Sequence, residues 1–391
     1  MTSLIHVDAA WKSLFHYGEE LCGDRVMIRR SDTSFVMVLA DGLGSGVKAN
    51  ILSTLTSTII SQMIFDGLPL SEAVETIAAT LPVCADREVA YSTFTILQVD
   101  YTGKARLVQY DNPGAVLIRS GCVKPLDNKE VVISDKKILE AEFDVMPDDH
   151  IIFFSDGILY ADTEMQLNYN WAQKDVEEFL AASVQPEDSA RECARILLAM
   201  VNSLYDGKPS DDCTVAAARI IPARETVVMI GPPKNKEDDK TVISRLMKAT
   251  GKKIVCGGTT SKIVASYLHE EIREDTETPL GDVPPKAYIR GVDLVTEGLL
   301  TLQKVSLLLK HACQDPEFYE DLLLSKEEDG ATCLVQALAD SSAVTFLAGQ
   351  SDNEGHHNLG SSISLDAKQL VIREIASYLE TLGKITSIEE K

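Results

Sequence analysis

Three acidic sites stand where apolar, strand-like runs end or begin. They are Asp41 in Val38-Leu39-Ala40-Asp41-Gly42, Asp156 in Phe153-Phe154-Ser155-Asp156-Gly157, and Asp211 with Asp212 in Pro209-Ser210-Asp211-Asp212-Cys213-Thr214-Val215. A carboxylate at the mouth of a sheet is desolvated on one side, and several converging there stay ionised only if a cation neutralises them. Hard oxygen donors with no histidine or cysteine pattern around them select magnesium or manganese over zinc. The glycines that follow Asp41 and Asp156 remove a Cβ and let a backbone carbonyl or a water approach such an ion. One Asp-Gly pair is an ordinary turn between strands. Three acidic sites in one domain point to a metal centre.

The string Gly42-x-Gly44-x-Gly46-x-Lys48 also follows a strand and opens a helix, as nucleotide-binding loops do. It matches neither pattern. A P-loop places four residues between its first glycine and Gly-Lys-Ser/Thr, whereas Lys48 here neither follows a glycine nor precedes a hydroxyl residue. The Gly-x-Gly-x-x-Gly spacing of dinucleotide-binding folds is missing too.

The elements that must position these residues are strand-rich in the first half. Strand-like runs cover 25–30, 34–40, 92–100, 105–110, 115–120, 150–155 and 214–220, separated by turn signals such as Tyr101-Thr102-Gly103 and Asp111-Asn112-Pro113-Gly114. This is antiparallel sheet. Apolar periodicity predicts helices over 47–65, 70–80 and 186–205. Pro222 and the charges around it close the last strand, so a domain boundary falls near there, dividing 1–222 from 226–391. Beyond it, strand 226–230, helix 239–250, strand 253–257 and helix 261–270 alternate as in an α/β unit. A helix over 294–313, an acidic helix, a strand at 343–348 and a helix over 364–382 follow.

Composition narrows the function classes. Of 391 residues, 45% are hydrophobic and 25% charged, enough for two cored domains. The net charge of −23 repels phosphate backbones and anionic head groups, so neither nucleic acid nor membrane is an expected partner. Eight cysteines form no Cys-x-x-Cys pair and read as reduced, mostly buried thiols. Residues 1–12 lack a signal-peptide pattern, and no uncharged apolar run reaches the roughly 18 residues of a membrane span. A cytoplasmic protein is expected.

Four motifs in order carry a resemblance: Cys22-Gly23-Asp24, Ala40-Asp41-Gly42-Leu43-Gly44-Ser45-Gly46, Phe154-Ser155-Asp156-Gly157 and Ser210-Asp211-Asp212-Cys213-Thr214-Val215. With the Tyr91-Ser92-Thr93-Phe94 strand and the Asn112-Pro113 turn, residues 1–220 or so resemble the SpoIIE-like branch of the PPM, or type 2C, metal-dependent serine/threonine phosphatases. The resemblance implies an α+β fold, a PPM-type α-β-β-α sandwich of two antiparallel sheets flanked by helices, here followed by an α/β C-terminal domain. It implies that Asp41 bridges two Mn2+ or Mg2+ ions and that the carbonyl of Gly42 holds one of them. Asp156 and Asp211 would bind the other, with Asp212 beside it and Asp24 a weaker candidate. It further implies hydrolysis of phosphoserine or phosphothreonine by a metal-activated water, on a regulatory protein of the anti-sigma-factor antagonist type, and a switching role for the helices at 47–65 and 70–80. One departure is that no arginine stands where the larger eukaryotic members grip phosphate, although Arg25, Arg29 and Arg30 are near.

The C-terminal domain lies outside that resemblance. Cys256-Gly257-Gly258-Thr259-Thr260-Ser261 runs from a strand into a helix start, where free amides and hydroxyls cap the helix or take an anion. The segment Gly291 to Gly298 also places Asp293, Thr296 and Glu297 at an expected helix start, and the two could line one small-molecule pocket. Adjacent His356 and His357 read as a polar loop, since neighbours rarely chelate one ion. The rival readings are an inactive metal-binding module that docks phosphoproteins, or a small-molecule sensor acting through this domain. A homodimer is compatible with all three.

Overall fold

The computed structural model describes residues 5–31, 33–80, 92–133, 136–161, 171–275, 286–326, 329–350 and 365–391. Tyr91, Cys84, the Pro284-Pro285 pair and the loop with His356 and His357 lie outside the described residues. The chain divides into two compact units, Met1–Pro222 and Ala223–Lys391.

The first unit opens with strands β1 (Ile5–Leu14), β2 (Asp24–Arg30) and β3 (Ser34–Gly42) and helices α1 (Gly46–Phe65) and α2 (Leu70–Thr80). Strands β4 (Ser92–Asp100), β5 (Lys104–Tyr110), β6 (Val116–Arg119), β7 (Cys122–Lys124), β8 (Lys129–Ile133), β9 (Lys136–Asp144) and β10 (His150–Phe154) follow. Helices α3 (Gln173–Ser183) and α4 (Ala190–Leu204) and strand β11 (Cys213–Pro222) complete it. Two sheets result, of order β1-β11-β10-β6-β7 and β2-β3-β4-β5-β9-β8, with every pairing antiparallel.

Strand alternation explains the layering. Val36, Val38 and Ala40 of β3 pack with Ile60 and Ile64 of α1 and Val74 and Ile77 of α2. Val116, Ile152, Phe154 and Val215 pack with Val176 and Leu180 of α3 and Leu197 and Val201 of α4. The intervening Phe35, Met37, Leu39, Ile151 and Phe153 are fully buried as well, so they face between the sheets. This is the α-β-β-α sandwich that the motifs imply.

Helix α1 departs from a simple amphipathic reading. Its sheet-facing side buries Ala49, Ser53, Thr56, Ser57 and Ser61, while Val47, Ile51 and Leu55 are exposed. Three of the serines satisfy their hydroxyls on the carbonyls three residues back, from Ser53 to Asn50, Ser57 to Thr54 and Ser61 to Thr58. Small side chains let the helix backbone lie close to β2 and β3.

The second unit comprises β12 (Glu225–Ile230), α5 (Asp239–Met247), β13 (Lys253–Cys256), α6 (Gly258–Leu268), β14 (Arg273–Glu274), β15 (Ala287–Ile289) and β16 (Val292–Thr296). It ends with α7 (Leu299–Gln314), α8 (Pro316–Leu324), α9 (Gly330–Ala339), β17 (Ala343–Ala348), α10 (Leu365–Thr381) and β18 (Ile385–Glu390). Parallel strands lie in the order β16-β13-β12-β17-β18, with the antiparallel β14-β15 pair at one edge. In chain order this is the doubly wound sequence 3-2-1-4-5. Helices α5 and α6 cover one face through Val242, Ile243 and Val264. Helices α7, α9 and α10 cover the other through Val305, Leu334 and Ile375.

Two expectations for this unit need correction. The predicted helix over 294–313 begins only at Leu299, because Val292–Thr296 is a strand paired with β13. Its β-branched Val292, Val295 and Thr296 favour the pleated state, and Leu294 and Val295 reach opposite faces of a sheet buried on both sides. Asp293 and Thr296 are therefore strand residues, not a helix start. Strands β14, β15 and β18 are also unread in the sequence, and β18 extends the sheet beyond β17.

Asp329 caps α9, accepting from the amides of Ala331 and Thr332 at 3.0 and 3.3 Å. Partial burial alone would raise its pKa, but the bonds from Thr332 and Ala331 and the nearby Lys304 together hold it below the ordinary carboxylate value. Asp329→Ala is expected to destabilise this unit by about 1 kcal/mol at neutral pH. Because the folded pKa is the lower one, that difference is fully present above the unfolded value and shrinks as pH falls through the folded value. Urea melts of the two proteins at neutral and acid pH check this.

Candidate active site

The site begins with a hairpin. In the antiparallel pairing of β2 and β3, Asp24 lies directly opposite Asp41, and β4 places Thr93 opposite Asp41 on the other side. Directly opposed residues have Cβ atoms about 5 Å apart. Ser92 Oγ donates to the backbone carbonyl of Asp41 at 2.8 Å and fixes the strand end. Asp156 comes from the second sheet, in the 3-10 turn that follows β10. Asp211 and Asp212 immediately precede β11, the neighbour of β10.

These carboxyl groups act on one another. Asp41 is held well above the ordinary carboxylate pKa, first by burial and then by the charges of Asp24, Asp156 and Asp211. Burial also raises Asp24, to about 7, against the hydrogen bond from Ser155. Asp156 is raised by burial, and Asp211 by burial and the Asp156 charge. Ser155 Oγ donates to Asp24 Oδ2 at 2.7 Å and accepts from the Thr214 amide at 2.9 Å, linking the two sheets through one hydroxyl. Among the described residues no group donates a hydrogen bond to the buried Asp24 Oδ1.

Two glycines make the approach possible. A Cβ on Gly42 would stand 2.8 Å from Ala49 Cα in the first turn of α1. On Gly157 it would stand 3.0 Å from Cys213 Sγ, with the Asp212 carbonyl closer still. Both contacts are below van der Waals distance, so only glycine fits at either place.

Asp212 serves a different purpose. It accepts from the amide of His16 at 3.0 Å on one oxygen and from the amide of Gly23 at 2.8 Å on the other. This buried carboxylate clamps the loop between β1 and β2 against the start of β11, and both its oxygens are engaged in doing so. Asp212→Ala leaves two amides without partners and is expected to cost about 2 kcal/mol of stability in the first unit. Thermal melts of the metal-free variant measure it.

The donor set suits a hard divalent cation. Asp24, Asp41, Asp156 and Asp211 offer only carboxylate oxygens, one of them buried without a donor, and their mutual repulsion is what a cation relieves. The nearby thiol of Cys22 is pushed up to about 12 by burial and by Asp24 and Asp212, so it remains protonated and offers no thiolate. The carboxyls are gathered but not in a formed coordination shell. Among the described residues no three His, Cys, Asp or Glu side chains are spaced to hold one ion as they stand.

Residues 31–221 match the family model described as stage II sporulation protein E (SpoIIE). They are a SpoIIE-family domain. No curated protein matches the chain. Among solved structures, the chain is similar to the PP2C phosphatase domain and a fragment of the regulatory domain of SpoIIE from Bacillus subtilis, at 19% identity and a TM-score of 0.49. That likeness covers 56% of this chain and 65% of the other, just under two thirds of its length. A second similar structure contains the RsbU and RsbW domains of Rv1364c from Mycobacterium tuberculosis, at 18% identity, 62% and 68% coverage and a TM-score of 0.45. A third is the SiaA-PP2C domain of Pseudomonas aeruginosa, at 16% identity, 54% and 85% coverage and a TM-score of 0.44.

The matched segment starts at residue 31 and so leaves Asp24 outside the SpoIIE-family match, yet Asp24 pairs with Asp41 and is the most buried of the four gathered aspartates. Its signal lies in the sequence. Counting outward from the turn at Ser31 to Ser34 brings residues 24 and 41 opposite each other.

In the second unit, Gly257 to Ser261 sit at the C-terminal end of β13 and the start of α6, and Glu297 directly follows the adjacent parallel strand β16. The two segments meet, since the Gly257 amide donates to the Thr296 carbonyl at 2.9 Å. Thr260 and Ser261 are buried, and Ser261 Oγ donates back to the Gly257 carbonyl at 2.8 Å, as an ordinary helix start would have it. A Cβ on Gly258 would lie 3.7 Å from Glu297 Oε1. A carboxylate therefore already stands beside Gly258 at the start of α6, which disfavours an anion there. Among the described residues no helix is long and apolar enough to cross a membrane.

Proposed function

We propose that the SpoIIE-family domain is a metal-dependent protein phosphatase that hydrolyses phosphoserine or phosphothreonine on a regulatory protein, of the anti-sigma-factor antagonist type. The observation that carries this is geometric: Asp24 lies opposite Asp41 between β2 and β3, and the hydroxyl of Ser155, the residue before Asp156, bonds both Asp24 and the amide of Thr214, three residues after Asp211, so acids from separate stretches of chain meet in one place. Asp24, Asp41, Asp156 and Asp211 would hold two Mn2+ or Mg2+ ions, with the Gly42 carbonyl as a further donor. When bound, such ions supply a water of lowered pKa as nucleophile and screen the charge growing on the phosphoryl oxygens.

The chain itself does the positioning. Ser155 orients Asp24, Ser92 fixes the backbone of Asp41, and the Asp212 clamp keeps the loop before β2 in place. Burial holds Cys22 and Cys213 as thiols, so neither serves as a covalent nucleophile. Initial rates on a phosphoserine peptide with Mn2+, with Mg2+ and with chelator test the reading. Hydrolysis that needs added metal supports it, and a chain inert under all three conditions is the docking module instead.

For the second unit, the 3-2-1-4-5 strand order supports a small-molecule-binding, regulatory role, because such sheets bind ligands outside the carboxyl ends of their strands. A thermal-shift screen of nucleotides and small metabolites on the full chain tests this, since a ligand of the folded state raises the melting temperature.

A further inference from the structure

On the loop between β1 and β2, and where β3 turns into α1, apolar side chains close in the chain to the acidic centre are left in water. Tyr17 is 63% exposed, Val47 60%, Phe15 47%, Leu21 43% and Leu43 37%. Phe15, Tyr17, Leu21 and Leu43 are tied by nearby backbone to the groups that build the centre. Phe15 and Tyr17 flank His16, whose amide holds Asp212, and the Tyr17 amide donates to the carbonyl of Pro209 at 2.8 Å, two residues before Asp211. Leu21 precedes the Cys22-Gly23 segment, where Asn50 of α1 donates to the Cys22 carbonyl at 2.8 Å and Gly23 binds Asp212. Leu43 follows Asp41 by two residues. The two loops touch, with Ser45 Oγ donating to Glu19 Oε1 at 3.3 Å.

We propose that these side chains form a docking surface for a protein segment whose phosphorylated serine or threonine is flanked by apolar residues, a proposal that rests on the phosphatase reading and names what that site selects. A small phosphoester reaching the carboxylates leaves the rim in water, whereas a protein segment covers it and gains the burial of a tyrosine, a phenylalanine and leucines. Charge sets the other half of the preference. Glu19 and Glu20 lie on the same loop, within a chain of net charge −23, so acidic flanks are repelled. The Lys208 ammonium lies over the Tyr17 ring, 5.7 Å from its centroid, and gives the rim a cation close in sequence to Asp211.

The test uses the full chain with Mn2+, the double variant Tyr17→Ser/Leu21→Ser on one loop, and Leu43→Ser on the other. Substrates are two phosphoserine peptides of equal length, one flanked by leucine and valine and one by serine and glutamate, with p-nitrophenyl phosphate as the reference. The wild-type chain is expected to favour the apolar-flanked peptide about tenfold in kcat/KM, equivalent to about 1.4 kcal/mol. Both variants are expected to erase that preference through KM. Equal use of the two peptides by the wild-type chain overturns the proposal, as does a proportional loss on all three substrates in the variants. If the wild-type chain hydrolyses none of them, the phosphatase reading fails separately, and the rim is judged by fluorescence anisotropy of the labelled apolar-flanked peptide. There a tenfold weaker Kd in the variants upholds the docking surface, and an unchanged Kd overturns it.

Discussion

Asp41→Asn is expected to lower metal-dependent kcat by on the order of a thousandfold while raising the melting temperature of the metal-free protein at neutral pH. The two effects have one cause. Asp41 sits among the gathered carboxyls, where burial and the charges of Asp24, Asp156 and Asp211 act on it, so it is the proposed ligand whose neutral replacement relieves the most repulsion. Without metal, burial raises the folded pKa of these acids, Asp24 to about 7, above the unfolded value near 3.8. The folded state therefore binds more protons than the unfolded one across that interval, and stability falls as pH rises through it. Asparagine removes one ionisation and flattens the slope. Calorimetry of both proteins between pH 4 and pH 7, with and without Mn2+, measures this. A variant that keeps its rate, or a wild-type protein whose metal-free stability does not decline over the interval, contradicts the assignment.

Gly42→Ala is expected to be the most damaging single change to stability. Its added methyl would meet the backbone of Ala49, 2.7 Å from the carbonyl carbon and 2.8 Å from Cα, inside a helix that cannot yield locally. The first turn of α1 must move off the end of β3, at a cost of about 3 kcal/mol, or roughly 10 °C in Tm for a unit of this size. Hydrolysis falls with it, because the displaced turn adjoins Asp41. Gly44→Ala is the control. It has open space around its Cα but a φ of +95°, so it pays backbone strain alone and loses about 1 kcal/mol. Equal melting temperatures for the two variants would show that α1 does not rest on Gly42.

Much of the first unit was legible because its strands are apolar runs cut by turn residues, and because Asp-Gly at the end of such a run has few other uses when it recurs. Other features were hidden for identifiable reasons. Strand β1 mixes charged and apolar residues, since as an edge strand it needs only one neighbour. Helix α1 shows helical spacing, but periodicity does not reveal that small hydroxyl residues face the sheet beside Ile60 and Ile64 while Val47, Ile51 and Leu55 face out. The doubled role of Asp211-Asp212, one acid in the cluster and the other clamping two amides, depends on contacts across about 190 residues of sequence. In the second unit, an apolar stretch running from Val292 into α7 reads as one long helix, and only the neighbouring strand shows that its first five residues are sheet.

The pairing of β1 with β11, from Ile5 opposite Pro222 to Leu14 opposite Cys213, joins the two ends of the first unit. During synthesis β1 therefore emerges from the ribosome long before β11, the strand it pairs with, exists, and the clamp on His16 and Gly23 waits equally long. A nascent chain halted short of residue 211 holds three of the four gathered aspartates but has no means of closing the sheet around them. With the acids as the proposed metal ligands, newly made protein should consequently gain metal retention in a single late step, and chaperones would meet it with β1 exposed and unmatched.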